Sequence, residues 1–130
     1  MRVRIVDDVA VSPNFSKEEN SLTCFAPASW RLMNGDCIVV YRQGREKHSA
    51  DGVFFAQRSI DGGKSWSDQI TIFDRVKNAE LESVHAGVVC QVSDGSVLAI
   101  FTTVEPSKEG LYVFSEEGKK QRHHFYISRS

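Results

Sequence analysis

Between positions 41 and 52 the chain reads Tyr41-Arg42-Gln43-Gly44-Arg45-Glu46-Lys47-His48-Ser49-Ala50-Asp51-Gly52. Guanidinium groups, an imidazole and a carboxyl group thus fall within one short segment. A guanidinium offers paired donors to a carboxylate, and a carboxylic acid whose pKa is raised can protonate a leaving oxygen. The same residues also suit a solvated loop that closes on a simple Asp51-Gly52 turn. Other groups are weaker candidates. His85 reads as a core or surface histidine. His123 and His124 are adjacent, and neighbouring side chains on a strand point to opposite faces, so the two do not easily share one metal; that stretch reads as a solvated basic hairpin. Gly63-Lys64-Ser65 resembles the end of a phosphate-binding loop, but the first glycine of that motif falls on Arg58. Cys24, Cys37 and Cys90 are odd in number and lack C-x-x-C spacing, so they read as buried free thiols. No metal or cofactor is expected.

The chain as a whole has 130 residues, with 16 Lys and Arg against 17 Asp and Glu and a net charge of -1. That balance lacks the positive surplus that drives binding to a phosphate backbone. No stretch approaches the roughly 18 apolar residues of a membrane span. Neither nucleic acid nor membrane is therefore expected as a partner. The opening Met1-Arg2-Val3-Arg4-Ile5-Val6-Asp7-Asp8 has no apolar core and does not read as a signal peptide, which leaves a cytoplasmic location as the default. The sequon Asn14-Phe15-Ser16 has meaning only in a secretory setting.

The elements that must position these groups are short strands. Apolar and β-branched runs span Val9 to Val11, Cys37 to Tyr41, Val53 to Gln57, Gln69 to Phe73, Gly87 to Val92, Val97 to Val104, Leu111 to Phe114 and Phe125 to Ser128. Asn34-Gly35-Asp36 and Ser93-Asp94-Gly95-Ser96 lie between such runs and predict hairpin turns. The stretch from Phe73 to Val84 lacks a helical stripe and reads as a connection with at most one helical turn. Trp30 and Phe54-Phe55 are candidate packing residues. An internal repeat is also visible. Phe25 precedes Gly35 by the same interval as His85 precedes Gly95, and Phe54-Phe55-Ala56-Gln57-Arg58-Ser59 has a counterpart in Phe125-Tyr126-Ile127-Ser128-Arg129-Ser130. The two units cover about 20–73 and 85–130 of one continuous domain, and units of this length built from several strands suggest propeller blades.

After the first unit's strand comes Ser59-Ile60-Asp61-Gly62-Gly63-Lys64-Ser65-Trp66. Its typed positions are Ser59, Asp61, Gly63 and Trp66. Asp61 can accept bonds from the N–H groups of its own turn, Gly62 and Gly63 permit positive φ, and Trp66 can pack back on neighbouring strands. This octet resembles the Asp box of sialidases and other BNR-repeat β-propellers. The resemblance implies an all-β fold, a partial β-propeller of about two four-stranded blades out of six, with a second box beginning at Arg129-Ser130. It also implies that the box itself is structural. Exposed blade edges and faces in such a fragment imply self-association.

The resemblance further implies a glycan-directed function, removal of terminal acidic sugars by an exo-glycosidase. The family's F-R-I-P motif supplies a carboxylate-binding arginine; here Phe25 stands at that arginine's position and Pro27 at that of the motif's proline. Asp51 falls where the family has its general acid. Arg45, with Arg42 as the alternative, lies near a second family arginine, and His48 adds a donor beside them. The alternative is a non-catalytic BNR-repeat module that binds a glycan or a protein.

Overall fold

The computed structural model describes residues 22–74, 82–105 and 122–130. The expected strands at Val9 to Val11 and Leu111 to Phe114, and most of the connection after Phe73, lie outside the described residues. Within them the chain is all-β, with seven strands: β1 Thr23–Arg31, β2 Cys37–Gly44, β3 Val53–Ser59, β4 Ile70–Phe73, β5 Ser83–Gln91, β6 Val97–Val104 and β7 His123–Arg129. They form two antiparallel sheets, ordered β1-β2-β3-β4 and β5-β6-β7.

β1 departs from the sequence expectation, which placed no strand there. Its residues alternate poorly, and Pro27 interrupts the pattern; a proline is accommodated on an edge strand at a bulge, where no ladder bond is lost. The register with β2 shifts between Phe25 and Ala28, and Ala26 in the bulge has a φ of 52°. A non-glycine residue in that region is strained and persists only where its surroundings hold it. β5 also begins earlier than its apolar run, and its register with β6 shifts between Val84 and Ala86.

The second sheet repeats the first. β1 and β5 each have 9 residues, β2 and β6 each have 8, and β3 and β7 each have 7. The hairpin turns match bond for bond: Leu32 N–H donates to Asp36 O at 2.8 Å and Gly35 N–H to Leu32 O at 2.9 Å, while Val92 N–H donates to Ser96 O and Gly95 N–H to Val92 O, both at 2.9 Å. Arg58 on β3 pairs with Asp36 of the first turn, and Arg129 on β7 pairs with Asp94 of the second.

The sheets pack face to face. Val40, Phe54 and Ala56 of the first meet Val84, Val89, Ala99 and Phe101 of the second, with Ala28, Ile38, Phe73 and Tyr126 around them. Phe54 lies 5.1 Å from Phe101 between ring centroids, and Phe73 lies 5.0 Å from Phe101 and 5.1 Å from Tyr126. The first sheet's contact positions recur on the far side of the second as Val88, Leu98, Ile100, Phe125 and Ile127. There they are open: Val88 is 54%, Phe125 77% and Ile127 69% exposed. Two packing expectations are corrected. Trp30 is 45% exposed because it sits at the rim of the first sheet's inner face, and of the three cysteines read as buried thiols Cys24 is exposed on edge strand β1 while Cys37 and Cys90 are half-buried.

Candidate functional site

Strand direction sorts the side chains to two ends. The β1–β2 and β3–β4 connections share one end of the first sheet, and the β2–β3 loop, residues 45–52, lies at the other. Seven-residue β3 separates them by roughly 20 Å. At the loop end gather Phe25, Arg42, Arg45, Lys47, His48 and Asp51 from the first sheet, with Ser83, His85 and His123 from the second.

The Ser59–Trp66 octet occupies the opposite end. Ser59 Oγ donates to Asp61 Oδ1 at 2.8 Å, and Gly63 N–H donates to Ser59 Oγ at 2.8 Å. Lys64 and Ser65 N–H donate to Asp61 Oδ1 at 3.0 and 2.9 Å, and Ser65 Oγ donates to Asp61 Oδ2 at 2.6 Å. Gly62 and Gly63 adopt φ of 75° and 95°, which only glycine takes without strain. The Ser65 and Ser59 donors hold the Asp61 carboxyl far below the ordinary carboxylate range. Such a group contributes stability that is fully present above that range and is lost progressively as the pH falls below it. Trp66 packs near Gly63, but its Nε1 is buried without an acceptor among the described residues.

Arg42 is placed differently from the sequence expectation. Its side chain is 1% exposed. Nε donates to Val84 O at 2.7 Å, Nη1 to Glu46 O at 2.8 Å, and Nη2 to Ser49 O at 2.5 Å and Ser49 Oγ at 3.2 Å. The guanidinium therefore ties β2 and its loop to β5 of the other sheet, and it is not presented to a substrate. Ser83 completes this seam: Gly52 N–H donates to Ser83 Oγ at 3.1 Å, Ser83 Oγ donates to Ser49 O at 2.9 Å, and Val84 N–H donates to Gly52 O at 3.1 Å. Gly52 must lack a side chain, since a Cβ there falls 2.4 Å from Arg42 Nε.

Above this buried seam, Asp51 and Arg45 form the surface of the loop. Arg45 N–H donates to both Asp51 carboxylate oxygens at 3.3 Å, and Arg45 Nε donates to Oδ2 at 3.0 Å. Arg45 is 70% exposed and Asp51 25%. Partial burial raises the Asp51 pKa, but donors from Ser49 and Arg45 outweigh it and leave the carboxyl below its ordinary value. That is the reverse of the shift a standing general acid needs.

Rings line the remainder of this end. Phe25 meets His48 edge-on at 6.1 Å between centroids, His48 stacks on His85 at 5.9 Å and 17°, and His85 meets His123 edge-on at 6.4 Å. Lys47 Nζ sits 4.6 Å from the Phe25 centroid. His123 and His124 do diverge: His124 Nδ1 lies 2.9 Å from Glu82 Oε1, and Glu82 Oε2 also accepts from Thr103 Oγ1 at 2.8 Å and from Tyr126 OH at 2.9 Å. Burial raises the Glu82 pKa, and these three donors more than reverse it. Ser83, Glu82 and the His48–His85 stack were not visible in the sequence, since each depends on pairing between segments far apart in the chain. Among the described residues no group of three or more His, Cys, Asp or Glu is placed to hold a metal ion.

In comparisons with known proteins, no family model and no curated protein matches the chain.

Proposed function

We propose that the chain supplies about two neighbouring blades of a sialidase-like β-propeller and that its loop end belongs to an exo-glycosidase site for terminal acidic sugars. The observation that carries this reading is the Asp box. Its Ser59, Asp61 and Gly63 form a self-bonded turn between the third and fourth strands, at the end opposite Asp51, with Trp66 packed near Gly63. The repeated sheet and the open apolar face of its second copy, bearing Phe125 and Ile127, support continuation by further blades.

In this reading Asp51 is the acid and Arg45 its regulator. An acidic sugar brings a carboxylate of its own. When that group draws the exposed Arg45 away, Asp51 loses one of the donors that lower its pKa, and the carboxyl moves back upward. His48 and Lys47 lie beside the same loop and can contact the sugar. Arg42 acts through the loop by holding it against β5.

A non-catalytic binding module is the second reading. Phe25 at the position of the family's arginine favours it, as does the low pKa of Asp51. Hydrolysis of a fluorogenic sialoside by the complete propeller that carries these blades separates the two. Under the first reading Asp51→Asn lowers kcat by about a hundredfold or more while sialoside binding persists. Binding without turnover in the unaltered protein supports the module, and neither binding nor turnover rejects both.

A further inference from the structure

The ring ladder Phe25–His48–His85–His123 has chemistry beyond that assigned to Asp51. It crosses both sheets at the loop end, with one ring each from β1, the β2–β3 loop, β5 and β7. Among the described residues, the charged groups that lower the pKa of its two central imidazoles are cationic. Lys47 and Arg42 act on His48, and Lys47, Arg42, His48 and His123 act on His85. Of the described acids near it, Asp51 is held by Arg45, and Glu82 faces Thr103, His124 and Tyr126.

We propose that the stacked imidazoles of His48 and His85, with Lys47 beside them, form a binding site for a small oxyanion, carboxylate or sulfate, that tightens as the solution becomes more acidic. Two imidazoles 5.9 Å apart cannot both take up protons without mutual repulsion, and a bound anion removes that obstacle. Burial, followed by the neighbouring cations, keeps both rings below the ordinary imidazole range. Folding with lowered imidazole pKa values loses stability as the pH falls through the unfolded-state value, and an anion seated on the pair restores it. Proton uptake and anion binding are thus linked, whichever form binds first. The inference does not rest on hydrolysis, so its failure leaves the Asp51 reading intact.

The test follows the imidazole Cε1–H resonances of the full chain through a pH titration in chloride, and again with sodium sulfate or methyl glucuronide at matched ionic strength. Methyl glucoside serves as the neutral control. Both anions are expected to raise the apparent pKa of His48 and His85, and sulfate affinity is expected to rise about tenfold between about pH 7.5 and about pH 5. A response to glucuronide alone identifies a sugar acid as the ligand, and a response to both identifies the anion itself. His48→Gln and His85→Gln should each abolish most of the pH dependence; Gln keeps a polar side chain of similar reach. Unchanged imidazole titration in the presence of both anions, or variants that keep the pH dependence of the unaltered protein, overturns the proposal.

Discussion

Arg42→Ala is expected to lower the unfolding free energy by about 4 kcal/mol, read as a shift of the urea midpoint at constant slope. Hydrogen bonds to a charged group contribute about 1.5–3 kcal/mol each, and the guanidinium makes four. Their sum is not the answer, because burying the cation costs several kcal/mol. Two of its acceptors also keep other donors after the change. Ser49 O still receives Ser83 Oγ, and Glu46 O still receives Ser49 Oγ at 2.9 Å. Val84 O loses its short bond, and the truncated side chain leaves a cavity. Arg42→Lys, with a point charge in place of a fork, should fall between the two. If Arg42 were instead a substrate contact, Arg42→Ala would leave the urea midpoint unmoved and weaken only ligand binding.

The second large effect lies at the contact between the sheets. Gly87→Ala is expected to cost about 3 kcal/mol, at the upper end of overpacking penalties. A Cβ at Gly87 falls 2.3 Å from Phe54 Cζ and 2.8 Å from Phe101 Cβ. Phe54 is fully buried and packed at a tilt against Phe101, so its ring has nowhere to retreat, and the β5–β6 ladder holds the backbone. Pairing Gly87→Ala with Phe54→Leu should recover a substantial part of the loss. A double-mutant cycle on thermal or urea unfolding measures that coupling, and simple additivity would show that the two residues do not press on one another.

The two ends of the first sheet differ in how far they could be read from sequence. The Ser59–Trp66 turn was legible because the bonds made by Ser59 and Asp61 within it join residues no more than 4 positions apart, so residue type and order specify it locally. The hairpins at Gly35 and Gly95 were legible for the same reason, and the matching strand lengths follow from the repeat visible around them. β1 was not, because its Ala26-Pro27 bulge breaks the alternation by which strands are recognised. The loop end depends on long-range pairing. Arg42 reads as a loop cation until β5 arrives from 42 positions later with the Val84 carbonyl. Asp51 invited the role of acid, but burial that would raise its pKa is outweighed by donors from Ser49 and then Arg45 in the folded loop. The ring ladder joins positions 25, 48, 85 and 123, and nothing in their local contexts indicates that they meet.

The claim that the 45–52 loop end faces the ligand is tested most directly by titrating the full chain with sialyllactose and following backbone amide shifts. The account predicts perturbation concentrated at Arg45 to Gly52, Phe25 and His85, with Ser59 to Trp66 unmoved at the far end of the sheet. Shifts centred on the Asp box, or none at saturating sugar, would contradict it.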